Sequence, residues 1–470
     1  MDRSVRLRHD RFSAALVIIG ATGAIALLLV GDRYLPIGIT LAGLGVPPIA
    51  WFVLSAAERR GHPCNPWLLA TGIGGLLLLA VALPPRGSHD LWSYVMYGRM
   101  ISHHASSPYL HVPNDFRTDP FLRRVATGWR NTPSVYGPVF AAVAAFGSFV
   151  AGGSALAARL FHQGLAALAI VIALRLIWWR TRSTAAVALL GLNPLVIISV
   201  VNGGHNDALV GLAALGATLL ALADRPGWAG VCLALAALVK ITALLAAPAL
   251  LVWIAYRIGR RAATRFAIST GVAVAVAYAA AGWAAVTALG TNGSLVSRAS
   301  LWNLPLTLVG ATGRRSSGMS GVSWLGVTAV LSVLLIGAIA LAIAWRRRHA
   351  IDPAAAVALA LAAYLVVGMY VLPWYVVWMI PVAALSTNRL PHRLVLLFCG
   401  LLPAVYALKA RALPHPVGPE WHWIGSGLVP VALLAAFVAV AFARGSGRHR
   451  PRRAVQQPVR SGTDPAPVVP

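Results

Sequence analysis

Long apolar stretches separated by short polar segments dominate this chain. A membrane-spanning helix needs about 20 apolar residues, and runs near that length recur along most of the sequence. They lie at approximately 12–30, 36–57, 66–84, 157–179, 183–201, 206–222, 263–289, 322–345, 352–372, 391–410 and 424–443. The pattern predicts an all-α polytopic membrane protein with about 12 to 14 spanning helices.

Three stretches depart from this regular pattern. The apolar run from Gly227 to Tyr256 is too long for one span and carries Lys240 in its middle, which predicts two short helices that meet near the lysine. The run at 136–150 fits either a short span or a helix at the membrane interface. A further short run follows Pro373, where Trp374 and Tyr375 are typical of an aromatic belt.

Clusters of basic residues predict the orientation, because such clusters stay on the cytoplasmic side. Arginines at the N-terminus, at 59–60, 180–182, 257–261, 346–348 and 389–393, and from 444 onward place both ends inside. We therefore expect a multi-pass protein of the plasma (inner) membrane, with its spanning domain over 1–443. Outer loops are expected at 85–135, which should be partly helical, at 291–321 and at 409–423. The basic, proline-rich segment 444–470 is expected to be a disordered cytoplasmic tail.

Composition supports this interpretation and excludes several classes of protein. Hydrophobic residues make up 59% of the 470 residues and charged residues only 11%, against about 25% charged in soluble domains. The formal net charge of +27 comes from arginines dispersed between apolar runs, which argues against nucleic-acid binding. The three cysteines have no spacing typical of a disulfide framework or a zinc site. With only 12 acidic residues, any carboxylate chemistry has few candidates.

Asp90 is the strongest of these candidates. It follows a long apolar run, so it should lie at the outer membrane boundary, where partial burial can raise a carboxyl pKa toward that of a general base. Trp92 and Tyr94 follow it, and Tyr136 ends the same loop; these rings suit either interfacial anchoring or stacking on a sugar. The alternative for Asp90 is a helix N-cap.

Arginines in the same loop could form an anion site. The guanidinium group matches phosphate geometry, and the alternative role is contact with lipid headgroups. The arginines of this loop are Arg99, Arg117, Arg123, Arg124 and Arg130.

Two further polar features interrupt the apolar pattern. The segment Gly203-Gly204-His205-Asn206-Asp207 lies between two apolar runs and is placed outside. Asp207 could orient an acceptor hydroxyl, bind a divalent cation together with His205, or cap the next helix. Lys240 could bind a lipid-linked phosphate or simply extend its ammonium group toward water. A protic cluster in the third outer loop (His415, Glu420, Trp421, His422 and Trp423) has no assigned role.

Several of these motifs together resemble a known family, the polyprenyl-phosphomannose-dependent α-1,6-mannosyltransferases of actinobacteria, which are integral-membrane enzymes with the GT-C fold. The resemblance covers roughly residues 12 to 443 and implies a lipid-linked sugar donor, a mannan or glycolipid acceptor, inversion at the anomeric carbon and an outer-loop aspartate as base. By this resemblance the base is Asp90, and Asp207 is a second polar contact. The motifs are Asp90 with Trp92-Ser93-Tyr94, Tyr97-Gly98-Arg99, Ser107-Pro108-Tyr109, Asn131-Thr132-Pro133, Tyr136-Gly137-Pro138 and Gly203-Gly204-His205-Asn206-Asp207.

The chemistry of such a transfer agrees with the residues present. A polyprenyl phosphate leaves readily, so the protein must supply a base for the acceptor hydroxyl and cations for the departing phosphate. We expect Asp90 to be the base and Lys240, Arg99, Arg117 and Arg130 to bind the phosphate. His205, Asn206, Asp207, Trp92, Tyr94 and Tyr136 are expected near the sugar or the acceptor. No cofactor is required by this scheme, and a divalent cation on Asp207 and His205 is an open alternative.

Two other classes of function compete with the enzyme. A transporter or flippase of lipid-linked sugars would use ionisable residues within its helices, such as Arg159, His162 and Arg175. A non-catalytic scaffold for envelope assembly would tolerate replacement of Asp90. The long aromatic outer loop and the lack of visible repeats favour the enzyme.

Overall fold

The described residues of the computed structural model are 3–31, 35, 37–290, 295–309, 324–409 and 423–443. Within these ranges the chain forms helices joined by turns, and no strand occurs. The predicted all-α class is therefore confirmed. The tail 444–470, most of the third outer loop, including His415, Glu420, Trp421 and His422, and parts of the second loop lie outside the described residues.

The α-helices follow the predicted apolar runs closely. They are α1 (Arg3–Gly31), α2 (Ile37–Gly43), α3 (Val46–Arg59), α4 (Pro66–Ala82), α5 (Asp90–Ser102), α6 (Pro138–Ala151), α7 (Ala155–Thr181), α8 (Thr184–Gly191), α9 (Asp207–Leu222), α10 (Pro226–Ala237), α11 (Ala247–Arg257), α12 (Arg260–Ala281), α13 (Trp283–Thr287), α14 (Asn303–Leu308), α15 (Trp324–Arg346), α16 (Ala354–Val367), α17 (Ile380–Ala383), α18 (Arg389–Lys409) and α19 (Val429–Phe442).

Tighter and wider helical turns connect these helices. The 3₁₀ segments are Pro113–Asp115, Leu122–Arg124, Thr127–Trp129, Ile241–Ala246, Ala288–Gly290 and Pro373–Trp378, and the π-helical segments are Leu195–Asn202 and Ile424–Leu428. The first large loop contains α5 and three of the 3₁₀ turns, so its predicted helical character is confirmed.

Helix length separates two kinds of apolar helix among the described residues. Six helices are long and apolar enough to cross a membrane, and a seventh span results if α8 and the following π-helical segment, bent by 50° at Asn193-Pro194, count as one. Seven other apolar helices are shorter, with 10–17 residues, and α6 is one of them. At 1.5 Å per residue these are at most about 25 Å long, so a bilayer core of about 30 Å is crossed only together with the residues that flank them. The protein is thus a multi-pass membrane protein, and the total of 12 to 14 spans stays a prediction.

The long apolar run around Lys240 is broken as predicted. Helix α10 ends at Ala237, Lys240 has an extended backbone (φ −143°, ψ 120°), and a 3₁₀ segment leads into α11. Because the helix stops here, the lysine side chain lies at a helix end rather than in the middle of a span.

Two amides fix the end of helix α4 and therefore the start of the first loop. The Asn202 amide nitrogen donates to the carbonyls of Ala80, Leu83 and Pro84 at 2.9, 3.1 and 3.0 Å. Its oxygen accepts from the backbone nitrogen of Arg86 at 3.0 Å. These bonds satisfy carbonyl groups that every helix end leaves without an intrahelical partner.

The Gln163 side chain adds to the same end. Its amide nitrogen lies 3.1 Å from the carbonyl oxygen of Leu83 and 2.6 Å from that of Asn202. Four residues after Arg86, the chain enters α5 at Asp90. The position of Asp90 is therefore tied to the segment that precedes His205.

Helix α5 packs against α6 at very short range. A side chain at Gly98 would overlap the carbonyl oxygen of Ala144, a backbone atom that cannot swing away. Ser148 reinforces the contact by donating to the carbonyl oxygen of Val95 at 2.9 Å. The glycine thus allows the outer loop to sit directly on the membrane domain.

The Gly98→Ala variant should be less stable by about 1–3 kcal/mol, because the added methyl group forces α5 away from α6. Gly164→Ala is the matched control, since a Cβ there meets no atom within 4 Å and alanine is the better helix former. Thermal unfolding of both purified proteins in the same detergent measures the difference. Equal melting temperatures for the two variants would contradict the close packing.

Candidate active site

Asp90 is the first residue of α5, yet its carboxylate does not cap that helix. The backbone nitrogens of Trp92 and Ser93 donate to the His89 carbonyl at 3.0 and 3.4 Å, and the N-cap position is occupied by His89 without a side-chain bond. The backbone nitrogen of Asp90 is bonded to Ser88 Oγ at 3.1 Å. The capping alternative for Asp90 is therefore wrong, and its carboxylate, 20% exposed, is available for another partner.

That partner is His205. Its Nε2 lies 3.4 Å from Asp90 Oδ2, its Nδ1 lies 2.5 Å from the carbonyl oxygen of Ser199, and its ring stacks on Trp374 with centroids 4.1 Å apart. A carbonyl oxygen only accepts, so Nδ1 must carry a hydrogen. Nε2 is therefore the nitrogen that faces the carboxylate.

The paired glycines place His205 beside Asp90. Gly204 has φ +64°, a conformation that glycine adopts without strain. A Cβ there would also lie 2.5 Å from Leu91 Cδ1 and 3.4 Å from His162 Cβ. A larger residue would push α5, and Asp90 with it, away from the histidine.

The surroundings of Asp90 act on its pKa in opposite directions. Burial raises the pKa, but the hydrogen bond and charge of His205, then the Ser88 hydroxyl and the Lys240 ammonium group, lower it by more. The net result is a pKa below the ordinary value of an aspartic acid. The sequence predicts a raised pKa for Asp90 from burial alone. This prediction is wrong, because His205 also acts on the carboxylate and lowers its pKa.

Asp207, the first residue of α9, is fully buried and forms an ion pair with Lys240. Asp207 Oδ1 accepts from Lys240 Nζ at 2.8 Å and from Trp378 Nε1 at 2.6 Å. The N-cap position belongs to Asn206, whose side chain makes no capping bond. The capping alternative for Asp207 is wrong, and Lys240 pairs with a carboxylate instead of reaching for water.

Aromatic rings enclose the ammonium group of Lys240. Its Nζ lies 4.4 Å from the ring centre of Tyr375, 5.6 Å from Trp378 and 5.7 Å from Tyr136. The side chain is only 12% exposed. Cation–π attraction is strongest where water is excluded, so the rings and Asp207 together stabilise the buried charge.

The residues suggested for a divalent cation do not form a metal site. Asp207 Oδ1 is committed to Lys240 and Trp378, whereas His205 Nε2 faces Asp90. Throughout the described part of the chain, no group of three histidine, cysteine or acidic side chains could hold a metal ion. The donor set here therefore does not fit a divalent cation.

Arg99 is held away from this site, in contrast to the expectation. Its Nε donates to both oxygens of the buried Asp119, at 3.0 and 2.8 Å, and its Nη1 donates to the Gly152 carbonyl at 2.8 Å. It follows Asp90 by nine residues, about 13 Å along a helix. This arginine joins the loop to the turn after α6, which corrects its assignment as a phosphate ligand.

Two other predicted residues also stabilise the loop itself. Arg130 donates to the carbonyls of Val125 and Arg123, both at 3.0 Å. Trp92 is buried in the apolar cluster of the loop, where the Arg124 guanidinium group lies 4.8 Å from its ring centre. Neither a phosphate contact for Arg130 nor a sugar contact for Trp92 is supported. Arg117 is exposed on the loop surface.

Several buried polar atoms near the two aspartates make no hydrogen bond with any described residue. They include the Tyr94 hydroxyl, both amide atoms of Asn206 and Asp207 Oδ2. The Tyr94 ring packs edge-on against Tyr136 at 5.0 Å. Each such group costs about 1–3 kcal/mol when left unpaired, so the region is suited to a ligand with many hydroxyl groups.

The residues that support the two acids carry no sign of this role in the sequence. Ser199 and Trp378 lie inside apolar runs and gave no separate signal, whereas Trp374 and Tyr375 were assigned to an aromatic belt. In the structure Trp374 stacks on His205, and Tyr375 is buried and stacks on Trp378 at 4.6 Å. The belt assignment is wrong, because these rings face the site.

Lys240→Met should destabilise the protein by about 3–5 kcal/mol, since it leaves the Asp207 carboxylate buried without its cation. Adding Asp207→Asn should recover much of this loss by removing the unpaired charge. Thermal unfolding of the single and double variants forms a double-mutant cycle. Losses that simply add would show that the two charges do not interact.

Comparison with known proteins gives the same family as the motifs. Residues 23–257 match the model of the alpha-(1->6)-mannopyranosyltransferase N-terminal domain. The chain is 30% identical over 371 residues to alpha-(1->6)-mannopyranosyltransferase A of Mycobacterium tuberculosis, which covers 73% of this chain and 69% of that protein. It is 27% identical to alpha-(1->6)-mannopyranosyltransferase B of Corynebacterium glutamicum, over 86% of this chain and 76% of that protein.

The matched segment contains Asp90, His205, Asp207 and Lys240 together. With its apolar helices, its two paired acids and these relatives, the chain belongs to the alpha-(1->6)-mannopyranosyltransferase family and is a multi-pass membrane hexosyltransferase.

Proposed function

We propose that this protein transfers mannose from a polyprenyl-phosphate donor to a mannan or glycolipid acceptor at the extracytoplasmic face of the plasma membrane, with inversion at the anomeric carbon. The names of the relatives support a mannosyl group and an α-1,6 linkage. The orientation predicted from the arginine clusters supports the outer face, because Asp90 lies at the opposite end of α4 from Arg59 and Arg60.

The observation that carries the proposal is the Asp90–His205 pair. Asp90 is at the start of the outer loop, is partly exposed, and is held by His205 without being used as a helix cap. Its lowered pKa keeps it ionised at neutral pH. A carboxylate with these properties can accept a proton from a hydroxyl group that approaches from the aqueous side.

The reaction then follows from simple bond changes. The acceptor hydroxyl gives its proton to Asp90 while its oxygen bonds to the anomeric carbon, and the bond from that carbon to the phosphate oxygen breaks. The electron pair leaves with the polyprenyl phosphate. His205 orients the carboxylate, because its Nε2 lies 3.4 Å from Asp90 Oδ2.

Lys240 supplies the cation that we assign to the departing phosphate. An ammonium group has three N–H donors, and Asp207 accepts one of them at 2.8 Å. The charge is thus fixed in place by its ion pair while donors remain for a phosphate oxygen. The exposed Arg117 is a further contact for the donor headgroup.

Sugar recognition is assigned to the buried polar atoms without partners. Tyr94, Asn206 and Asp207 Oδ2 present both donors and acceptors, which matches the mixed character of sugar hydroxyls. Tyr136 packs against Tyr94 and lies beside Lys240, between the proposed phosphate and sugar positions.

Asp90→Asn should reduce turnover by about 10²- to 10⁴-fold, the usual worth of a general base, while the protein still folds. Asp115→Asn is the matched control, because Asp115 lies in the same loop and is exposed. The assay measures transfer of radiolabel from polyprenyl-phosphomannose to α-mannan acceptors in membranes that contain equal amounts of each variant.

Near-normal transfer by Asp90→Asn would refute its role as base. Movement of the labelled lipid across the bilayer without any sugar transfer by the unmodified protein would instead establish the flippase. If the protein supports envelope assembly in cells although it shows neither activity, it is a non-catalytic scaffold.

His205→Phe should move the acidic limb of the kcat/KM profile to higher pH. Phenylalanine retains a ring to stack on Trp374, but it removes the group that lowers the pKa of Asp90, so burial then raises that pKa. Ser88 and Lys240 remain as the other groups that lower it. A profile measured from acidic to neutral pH tests this, and an unchanged limb would exclude a role for His205 at Asp90.

A further inference from the structure

A groove lies between helices α4 and α7, and neither Asp90 nor Asp207 lines it. Its volume is about 730 Å³, and on the side of α4 it is lined by apolar residues between Pro66 and Leu77. Helix α4 begins at Pro66 beside the groove and ends at Ala82, close to the loop of Asp90. The 17 residues of this helix span about 25 Å, so the groove begins at one end of α4 and the other end leads to the loop of Asp90.

The groove has both apolar and basic lining residues. The basic ones are Arg175 and Arg182, which line it together with Trp178 and are both exposed. Among the described residues that line the groove, none is acidic. The apolar lining residues are Leu69, Ala70, Ile73, Leu77, Val171, Leu174 and Val187.

The nearest acid along the chain is engaged elsewhere. Glu58 accepts hydrogen bonds from Ser183 Oγ at 2.9 Å, Thr184 Oγ1 at 2.6 Å and the backbone nitrogen of Ala185 at 3.0 Å. These bonds hold the start of α8. The two groove arginines are therefore available to an anion from outside the protein.

Arg182 has an unusual backbone for its residue type. It ends helix α7 in the left-handed conformation (φ 51°, ψ 24°), where glycine is the common residue because it has no Cβ. The guanidinium group lies 5.8 Å from the ring centre of Trp178, which also lines the groove.

We propose that this groove binds an anionic phospholipid of the leaflet opposite the active site. An acyl chain would lie along the apolar lining, and the phosphate would bind Arg175 and Arg182. Arginine forks match phosphate oxygens, and basic sites between membrane helices are suited to anionic headgroups. The apolar length of the groove selects a lipid over a soluble phosphate. This site is independent of the proposed sugar transfer.

The binding test compares phosphatidylglycerol with phosphatidylcholine of the same acyl chains. Native mass spectrometry of the full chain in a neutral detergent should show preferential retention of phosphatidylglycerol, and that lipid should also raise the melting temperature. Arg175→Gln with Arg182→Gln should lower the affinity for phosphatidylglycerol about tenfold or more. Arg180→Gln is the matched control, because Arg180 is exposed on the same turn but does not line the groove.

Arg182→Gly separates lipid binding from folding. Glycine suits the left-handed backbone, so the melting temperature without lipid should stay equal or rise. The increase in melting temperature caused by phosphatidylglycerol should nevertheless be smaller, because the guanidinium group that binds the phosphate is lost. An unchanged increase would show that Arg182 is not part of the lipid site.

Three results would overturn the proposal. One is equal retention of phosphatidylcholine and phosphatidylglycerol by the unmodified protein. Another is an equal loss of affinity in Arg180→Gln, which would indicate a diffuse charge effect. The third is the same gain in melting temperature from soluble glycerol phosphate, which would indicate a phosphate site without a lipid chain.

Discussion

The buried ion pair between Asp207 and Lys240 is the interaction on which the arrangement of the site depends. Neither charge is stable alone in an apolar interior, so the segments that carry them are held in one position relative to each other. Asp207 starts α9, Lys240 lies at the break before α11, and Trp378 joins them from a third segment. The end of the outer loop is attached to the same region, since the backbone nitrogen of Gly137 donates to the Val239 carbonyl at 3.0 Å.

Asp90 and Asp207 are each the first residue of a helix, but their exposure and their partners differ. Asp207 is fully buried and its charge is neutralised by a lysine, which suits a structural anchor that also orients a cation. Asp90 is partly exposed, and its partner is the imidazole ring of His205 at 3.4 Å. A base must be able to take up a proton, and this supports our proposal that Asp90, the more exposed and less strongly paired acid, is the base.

The fold class, the helix positions and the break at Lys240 could be predicted from the sequence, because apolar periodicity and the cost of a mid-span lysine are local properties. Local sequence also singles out the polar and aromatic motif residues Asp90, His205, Asp207, Lys240, Tyr94 and Tyr136. Which of these residues pair with each other could not be predicted, since pairing depends on contacts between segments that are distant in sequence.

The roles of the loop arginines could not be predicted from the sequence either. An arginine that binds phosphate and one that pairs with a buried Asp119 have identical local patterns, so Arg99 was assigned to the wrong role. Trp374 and Tyr375 likewise have the composition of an interfacial belt, and only the long-range packing shows that they face inward. Local sequence identifies unusual residues, and tertiary contacts decide what they do.

Asn202 has a geometric consequence that extends beyond its own hydrogen bonds. Its amide fixes the last carbonyls of α4 to the segment that carries His205. The positions of Asp90 and His205 therefore both depend on the end of α4. The depth at which α4 sits in the bilayer thus sets the height of the Asp90 carboxylate above the membrane. The distance between Asp90 and the lipid-linked donor that we propose therefore depends on helix length and bilayer thickness as much as on the loop.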